Sequence, residues 1–262
     1  MSDRPTPGTP FVQSLERGLH VLRALNDASS GLSLSQVAER TGMTRAAARR
    51  FLLTLVTLDY ARFDGREYSL RPRVLETGRS YLSSLQLPDV ALPALEKLAY
   101  EVRETTSLTV LDGDEIVYVA RVHGFRILTV TIAVGTRFPA YATSTGRVML
   151  AGLDEGELDA YLSRTDLRQL TAGTMTGPER LTREIRRVRR QGWVIVDQEL
   201  EQGLRSIAAP VHDAQGRVIA AVNISTTAAR TPLDTMRHEW LAPLRSTASQ
   251  IAEDFTLRGG LE

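Results

Sequence analysis

Residues 32–70 read LSLSQVAERTGMTRAAARRFLLTLVTLDYARFDGREYSL. Ser33 or Ser35 is placed to cap a short helix whose Val37 and Ala38 face inward. Thr41-Gly42-Met43 makes a corner, with Gly42 supplying the positive φ that a sharp turn needs. Thr44 caps the next helix, in which Ala48, Leu52, Leu55 and either Phe51 or Val56 form the buried stripe. Arg45, Ala46, Arg49 and Arg50 fall at or beside its opposite face. Small alanines let such a helix sit deep in a major groove, and arginines in its first half reach guanine edges or phosphates. Alone, the pattern is equally that of an amphipathic helix with a solvated basic face. The following hairpin decides between the two. Residues 60–63 and 67–70 alternate as short strands about Asp64-Gly65, a strong turn signal, and Arg62 and Arg66 point such a wing at a phosphate backbone. Helix, turn, helix and wing in this order predict a winged helix-turn-helix and binding to double-stranded DNA.

Upstream, residues 12–25 space Leu15, Leu19, Leu22 and Leu25 for one helical face, with Ser14 as the expected N-cap. Residues 1–10 (MSDRPTPGTP) lack the apolar core of a secretion signal and read as a disordered tail. The cytoplasm is then the expected address. The chain has 262 residues, enough for two modest domains, and no apolar run approaches a membrane span. There are no cysteines, which excludes disulfides, thiolate metal sites and cysteine nucleophiles. The net charge of +1 hides an asymmetry: residues 1–85 carry 12 Arg/Lys against 8 Asp/Glu, the remainder 20 against 23. A basic front and mildly acidic rear suit a DNA-binding head on a body that avoids phosphates.

Downstream, residues 72–85 read as a helix linking head to body, with Pro88 and Pro93 at the boundary. Helices are expected at 94–104, 144–150, 155–163, 178–191 and 233–255. Strands are expected at 107–111, 116–121, 127–134, 193–196, 207–211 and 218–225, the last two joined by a turn at 213–216. The fold class is therefore α+β, without internal repeats.

This succession resembles the IclR family of bacterial transcription regulators over residues 11–255. The head carries the likeness in LSLSQVAERTGMTRAAARRFLLTL (32–55), the body in VGTRFPAYATSTGRVMLAGL (134–153) and RRQGWVIVDQELEQGLRSIAAPV (189–211). Within the family it is most similar to the PcaR, PcaU and PobR branch, which regulates aromatic-acid breakdown through the β-ketoadipate pathway. That similarity rests on residues 44–55, 111–122, 136–148 and 197–208. The resemblance implies a disordered tail (1–10), a winged helix-turn-helix domain (11–71) and a linker helix (72–88). A GAF-like effector domain with an antiparallel sheet (89–257) and a short tail (258–262) complete the organisation. It implies an effector-responsive regulator, an activator in this branch, sensing 4-hydroxybenzoate, protocatechuate or β-ketoadipate. The implied partners are double-stranded operator DNA, a small organic acid, further copies of the chain in a homodimer or homotetramer, and RNA polymerase. No cofactor, metal or membrane is implied. An IclR-type repressor of another small acid, and an enzyme with an accessory head, are the alternatives.

The resemblance places Thr44, Arg45, Ala46, Arg49 and Arg50 on the groove-facing helix, beside the capping Ser33. Arg45 and Arg49 are expected near bases and Arg62 and Arg66 on phosphate, with Arg50 open between DNA contact and an acidic neighbour. Positions matching the effector pocket are Val196, Ser206, Asn223 and Ser225, with the turn Ser144-Thr145-Gly146. Asn223 and Ser225 alternate to one side of their strand. A helix start there favours an anion, although the residues alone favour a plain capped helix. Arg137, Arg126, Arg121 and Arg147 are candidates for a carboxylate clamp, Arg137 first, and Tyr141 for stacking on a phenol. Asp197, Glu199 and Glu201 invite a metal reading, but without a nearby histidine a solvated loop or a pair with Arg205 is favoured. Neither a nucleophile–base constellation, nor zinc spacing, nor a dinucleotide fingerprint supports an enzyme.

Overall fold

A computed structural model of the chain describes residues 11–26, 28, 30–76, 87–124 and 132–259. By their contacts, residues 1–84 and 85–262 form two separate units. The first holds α1 (Gln13–Asn26), α2 (Leu34–Thr41), α3 (Arg45–Thr57), β1 (Ala61–Phe63) and β2 (Tyr68–Leu70). Ser33, not Ser35, caps α2, in a capping box closed by Gln36. Gly42 ends the helix at φ 65°, and Thr44 Oγ1 accepts from the Ala47 N–H at 3.2 Å to start α3. Val21, Leu25, Val37, Ala48, Leu52 and Leu55 fill this unit's core, with Phe51 and Val56 both packed at its margin.

Two expectations about α1 need correcting. It starts at Gln13, so Ser14 lies inside the helix and not at its cap. Leu15 and Leu19 are exposed while Val21, Ala24 and Leu25 are buried, because only the C-terminal half of α1 meets the core. The wing pairs Ala61 with Leu70 and Phe63 with Tyr68. Leu32 also bridges to Tyr68, a contact too short to read from sequence.

The second unit is built on one antiparallel sheet of order β5-β4-β3-β8-β7-β6. Its strands are β3 (Thr105–Asp112), β4 (Glu115–Val122), β5 (Arg137–Pro139), β6 (Val194–Asp197), β7 (Leu204–His212) and β8 (Val218–Thr227). One face packs on α4 (Leu87–Val102) and the C-terminal helix through Leu95, Leu98, Val222, Ile224, Leu244 and Ile251. The other is covered by the 3-10 turn Ala140–Ala142, α5 (Ser144–Gly152), α6 (Glu155–Arg164) and α7 (Pro178–Gln191), through Tyr141, Leu150, Tyr161, Leu181 and Ile185. Between β3 and β4 the register slips by one residue at Leu108/Thr109, so that Leu108 opposes Ala120 and Thr109 opposes Tyr118.

Several boundaries differ from expectation. The helix expected from residue 94 begins at Leu87 and runs through Pro93, because Leu87, Val90, Ala91 and Leu95 form one buried stripe across it. Of the linker helix expected over 72–88, residues 74–76 are helical, 77–86 lie outside the described residues, and 87–88 open α4. Of the strand expected at 127–134, residues 127–131 also lie outside them and 132–134 are not a strand; the edge strand is Arg137–Pro139 instead. The last helix passes from α8 (Leu233–Thr235) through a π-helical stretch, Met236–Trp240, into α9 (Leu241–Gly259). Pro243 has no N–H to give the Glu239 carbonyl, and the helix is wound wider just upstream. Residues 258 and 259 end that helix and so are not part of a tail.

Candidate functional site

Side chains on directly paired residues of a sheet share a face. One row across the second unit runs Val196, Ser206, Ser225, Thr105; the next runs Val194, Ala208, Asn223, Ser107, Arg121. Both lie on the face covered by α5. An apolar face thus turns polar at one end, beneath a helix start. There Tyr118, Thr143, Ser144, Thr145, Val196, Leu200, Leu204, Ser206, Asn223 and Ser225 line a cavity of about 20 Å³. That is room for roughly one water.

Among the described residues, five buried side-chain polar atoms lack a hydrogen-bond partner: Thr109 Oγ1, Arg121 Nε, Ser144 Oγ, Thr145 Oγ1 and Asn223 Oδ1. Three belong to residues lining the cavity and two to the adjoining strands β3 and β4. Each such orphan costs ~1–3 kcal/mol, so their clustering marks a place built for a polar occupant. Asn223 Nδ2 donates to Ser225 Oγ at 2.9 Å, which leaves its oxygen free to accept. Burial pushes the Tyr118 hydroxyl up to about 12, keeping the ring a neutral phenol.

Six of the nine expected effector residues line this cavity: Ser144, Thr145, Val196, Ser206, Asn223 and Ser225. The other three do not. Gly146 is required by packing: a Cβ there would stand 2.1 Å from the Ala140 carbonyl oxygen. Tyr141 is core, its hydroxyl donating to the Arg168 carbonyl at 2.8 Å and its N–H to the Tyr161 hydroxyl at 3.1 Å. Arg137 sits on the edge strand, its guanidinium 2.8 Å from both Asp112 and Glu115, which satisfy its charge away from the cavity.

The other clamp candidates sort equally plainly. Arg147 is fully buried and grips both carboxylate oxygens of Glu199, while its Nε donates to the Tyr141 carbonyl at 2.9 Å. Arg126 lies outside the described residues. Arg121 has no ion pair among the described residues; its Nη1 reaches only Ser107 Oγ, at 3.5 Å, and burial pushes its pKa below the usual guanidinium value. In the acidic run, Asp197 is held by Arg205 at 2.8 Å and Glu199 by Arg147. No group of three potential ligands forms a metal site among the described residues.

Sequence reasoning missed Tyr118 and Thr109. A signal for Thr109 was present: Ser107 and Thr109 are polar at alternate positions about the apolar Leu108 and Val110.

In the first unit, Thr44, Arg45, Ala46, Arg49 and Arg50 are all exposed along one side of α3. Arg50 has no ion pair among the described residues, which removes the acidic neighbour as an account of it. Ser33 Oγ is committed to its capping box. Arg62 and Arg66 are exposed on the wing, Arg62 Nε donating to Ser69 Oγ at 2.9 Å. The Asp64 carboxylate accepts from the Glu67 and Arg66 N–H groups, which close the turn and hold its pKa below the usual carboxylate value.

Comparison with known proteins agrees with both halves. Residues 79–253 match the family of bacterial transcriptional regulator IclR C-terminal domains, and residues 14–65 match the IclR helix-turn-helix domain. The Pca regulon regulatory protein of Pseudomonas putida is 45% identical over 241 residues, covering 92% of this chain and 82% of that protein. A crystal structure described as a transcriptional regulator, from Rhodococcus sp. RHA1, superposes with a TM-score of 0.82 at 53% identity, covering 95% and 100% of the two chains. An IclR homologue from Microbacterium hydrocarbonoxydans, complexed with 4-hydroxybenzoate, gives a TM-score of 0.80 at 27% identity over 93% and 99%.

Proposed function

This chain belongs to the IclR family of bacterial transcriptional regulators, and from that premise we propose that it senses an acid of aromatic catabolism and relays its presence to operator DNA. The observation that carries the reading is the cluster of orphaned polar atoms around the cavity of the second unit. The candidate effectors are 4-hydroxybenzoate, protocatechuate and β-ketoadipate. Support comes from the likeness to a Pca regulon regulator and to a homologue complexed with 4-hydroxybenzoate. Val196, at the cavity wall, favours an apolar ring.

On this reading Ser144, Thr145, Ser206, Asn223 and Ser225 hydrogen-bond the effector. A cavity of about 20 Å³ cannot hold a benzene ring, so binding opens the wall formed by Leu200 and Leu204. That rearrangement is where a small ligand gains leverage on the protein's conformational equilibrium. In the head (11–71), Arg45 and Arg49 read base edges from α3, while Arg62 and Arg66 hold phosphates from the wing. The linker (72–88) joins it to the effector domain (89–257). The assembly is a cytoplasmic homodimer or homotetramer that activates its target genes together with RNA polymerase.

Isothermal titration of the purified chain with the three acids, and benzoate as control, tests the reading. Selective micromolar binding of one acid supports it and names the effector. Binding of none rejects the aromatic-acid assignment.

A further inference from the structure

Building on the effector-site reading, one cation near the cavity has no ion pair among the described residues. Arg121 ends the row Asn223–Ser107–Arg121 on the cavity face of the sheet. It reaches that face because of the irregularity in β4. In a regular strand, residues an odd number apart point to opposite faces, so Tyr118 and Arg121 would be separated. The register slip at Leu108/Thr109 inserts Val119 as an extra residue and returns both side chains to one side. The Arg121 guanidinium carbon then lies 5.9 Å from the centre of the ring of Tyr118, which itself lines the cavity. Its Nε is buried with no acceptor, and Thr109 Oγ1, the nearest orphan along β3, is also unsatisfied.

A guanidinium held wholly or partly out of water is ordinarily balanced by a carboxylate, as the buried Arg147 is by Glu199 and the half-buried Arg205 and Arg230 are by Asp197 and Glu104. Arg121 is not, among the described residues. We infer that Arg121 takes the effector's carboxylate, delivered to the cavity edge by the β-bulge and steadied on the face of Tyr118. The site therefore selects organic acids over their neutral analogues, and the acid completes an ion pair that the folded protein leaves half made.

Titration calorimetry on the full chain tests this with 4-hydroxybenzoate, protocatechuate and β-ketoadipate, followed by the amide of whichever binds tightest. Wild type is expected to prefer acid to amide by roughly 10- to 100-fold, the range for a hydrogen bond to a charged group. In Arg121→Met the affinity for the acid falls by a similar factor and the acid-to-amide ratio collapses towards one. Arg121→Lys, which keeps the charge without the fork, retains part of the ratio and serves if the Met variant does not fold. A purely structural Arg121 weakens acid and amide alike, so a preserved ratio in a folded variant overturns the inference while leaving the effector site standing. Failure of all three acids to bind wild type overturns both.

Discussion

The Arg147–Glu199 pair shows what a single contact does beside the cavity. Glu199 accepts two hydrogen bonds from the guanidinium and a third from the Met175 N–H at 2.9 Å, all out of water. Arg147 belongs to the helix that presents Ser144 and Thr145, and Glu199 precedes Leu200 at the cavity wall. The pair thus fixes the distance between the two sides of the site. Glu199→Gln keeps the shape but leaves an uncompensated buried cation, which costs ~3–5 kcal/mol. Urea unfolding of the two proteins measures the difference; a loss below about 1 kcal/mol would mean that water already reaches the guanidinium. Sequence singled out Arg147 as a clamp candidate and Glu199 within an acidic run, but not their pairing, since they stand 52 residues apart and only the fold brings them together. The same holds for Arg137, whose partners Asp112 and Glu115 face it only once β5 pairs with β4.

Elements whose signals are local were legible, and those set by distant pairing were not. The caps at Ser33 and Thr44, the left-handed Gly42 and the Asp64-Gly65 hairpin lie within a few residues of what they control, so the winged helix-turn-helix reads directly from the chain. The apolar face of α1 did not, because Leu15 and Leu19 have the right spacing but no core beside them. Pro93 suggested a boundary that burial of α4 overrides. The bulge that turns Arg121 towards Tyr118 leaves no mark in β4 at all. Of the site, resemblance supplied Val196, Ser206, Asn223 and Ser225, and alternation added only that the last two share one side of β8. The two DNA-facing elements carry different expectations. Arg62→Ala or Arg66→Ala in the wing each lowers the slope of log K against log salt by about one, with base preference intact. Arg45→Ala or Arg49→Ala in α3 costs ~1–3 kcal/mol of discrimination at one base pair. Fluorescence anisotropy on matched and mismatched duplexes across a salt series separates the two; a wing variant that changes base preference contradicts the assignment.

At the scale of the molecule, two units with separate cores communicate only if the effector binds one global state better than another. On the proposed function the cavity supplies that asymmetry: as it stands it has room for about one water, so an aromatic acid bound there selects a state in which the wall has moved. The apparent effector affinity is then reduced by the fraction of molecules that are closed, and anything that raises the open fraction tightens binding. Under the proposed function, operator DNA is such an agent. Linkage requires the two effects to be equal: the factor by which saturating effector changes operator affinity is the factor by which saturating operator changes effector affinity. Couplings of this kind are typically about 5- to 150-fold. Measuring effector affinity by calorimetry with and without a duplex operator, and operator affinity by anisotropy with and without effector, gives both factors. Equal factors above one place sensing and DNA binding on a single equilibrium. Two factors of one would leave the effector acting on a later step, such as contact with the polymerase, with operator affinity untouched.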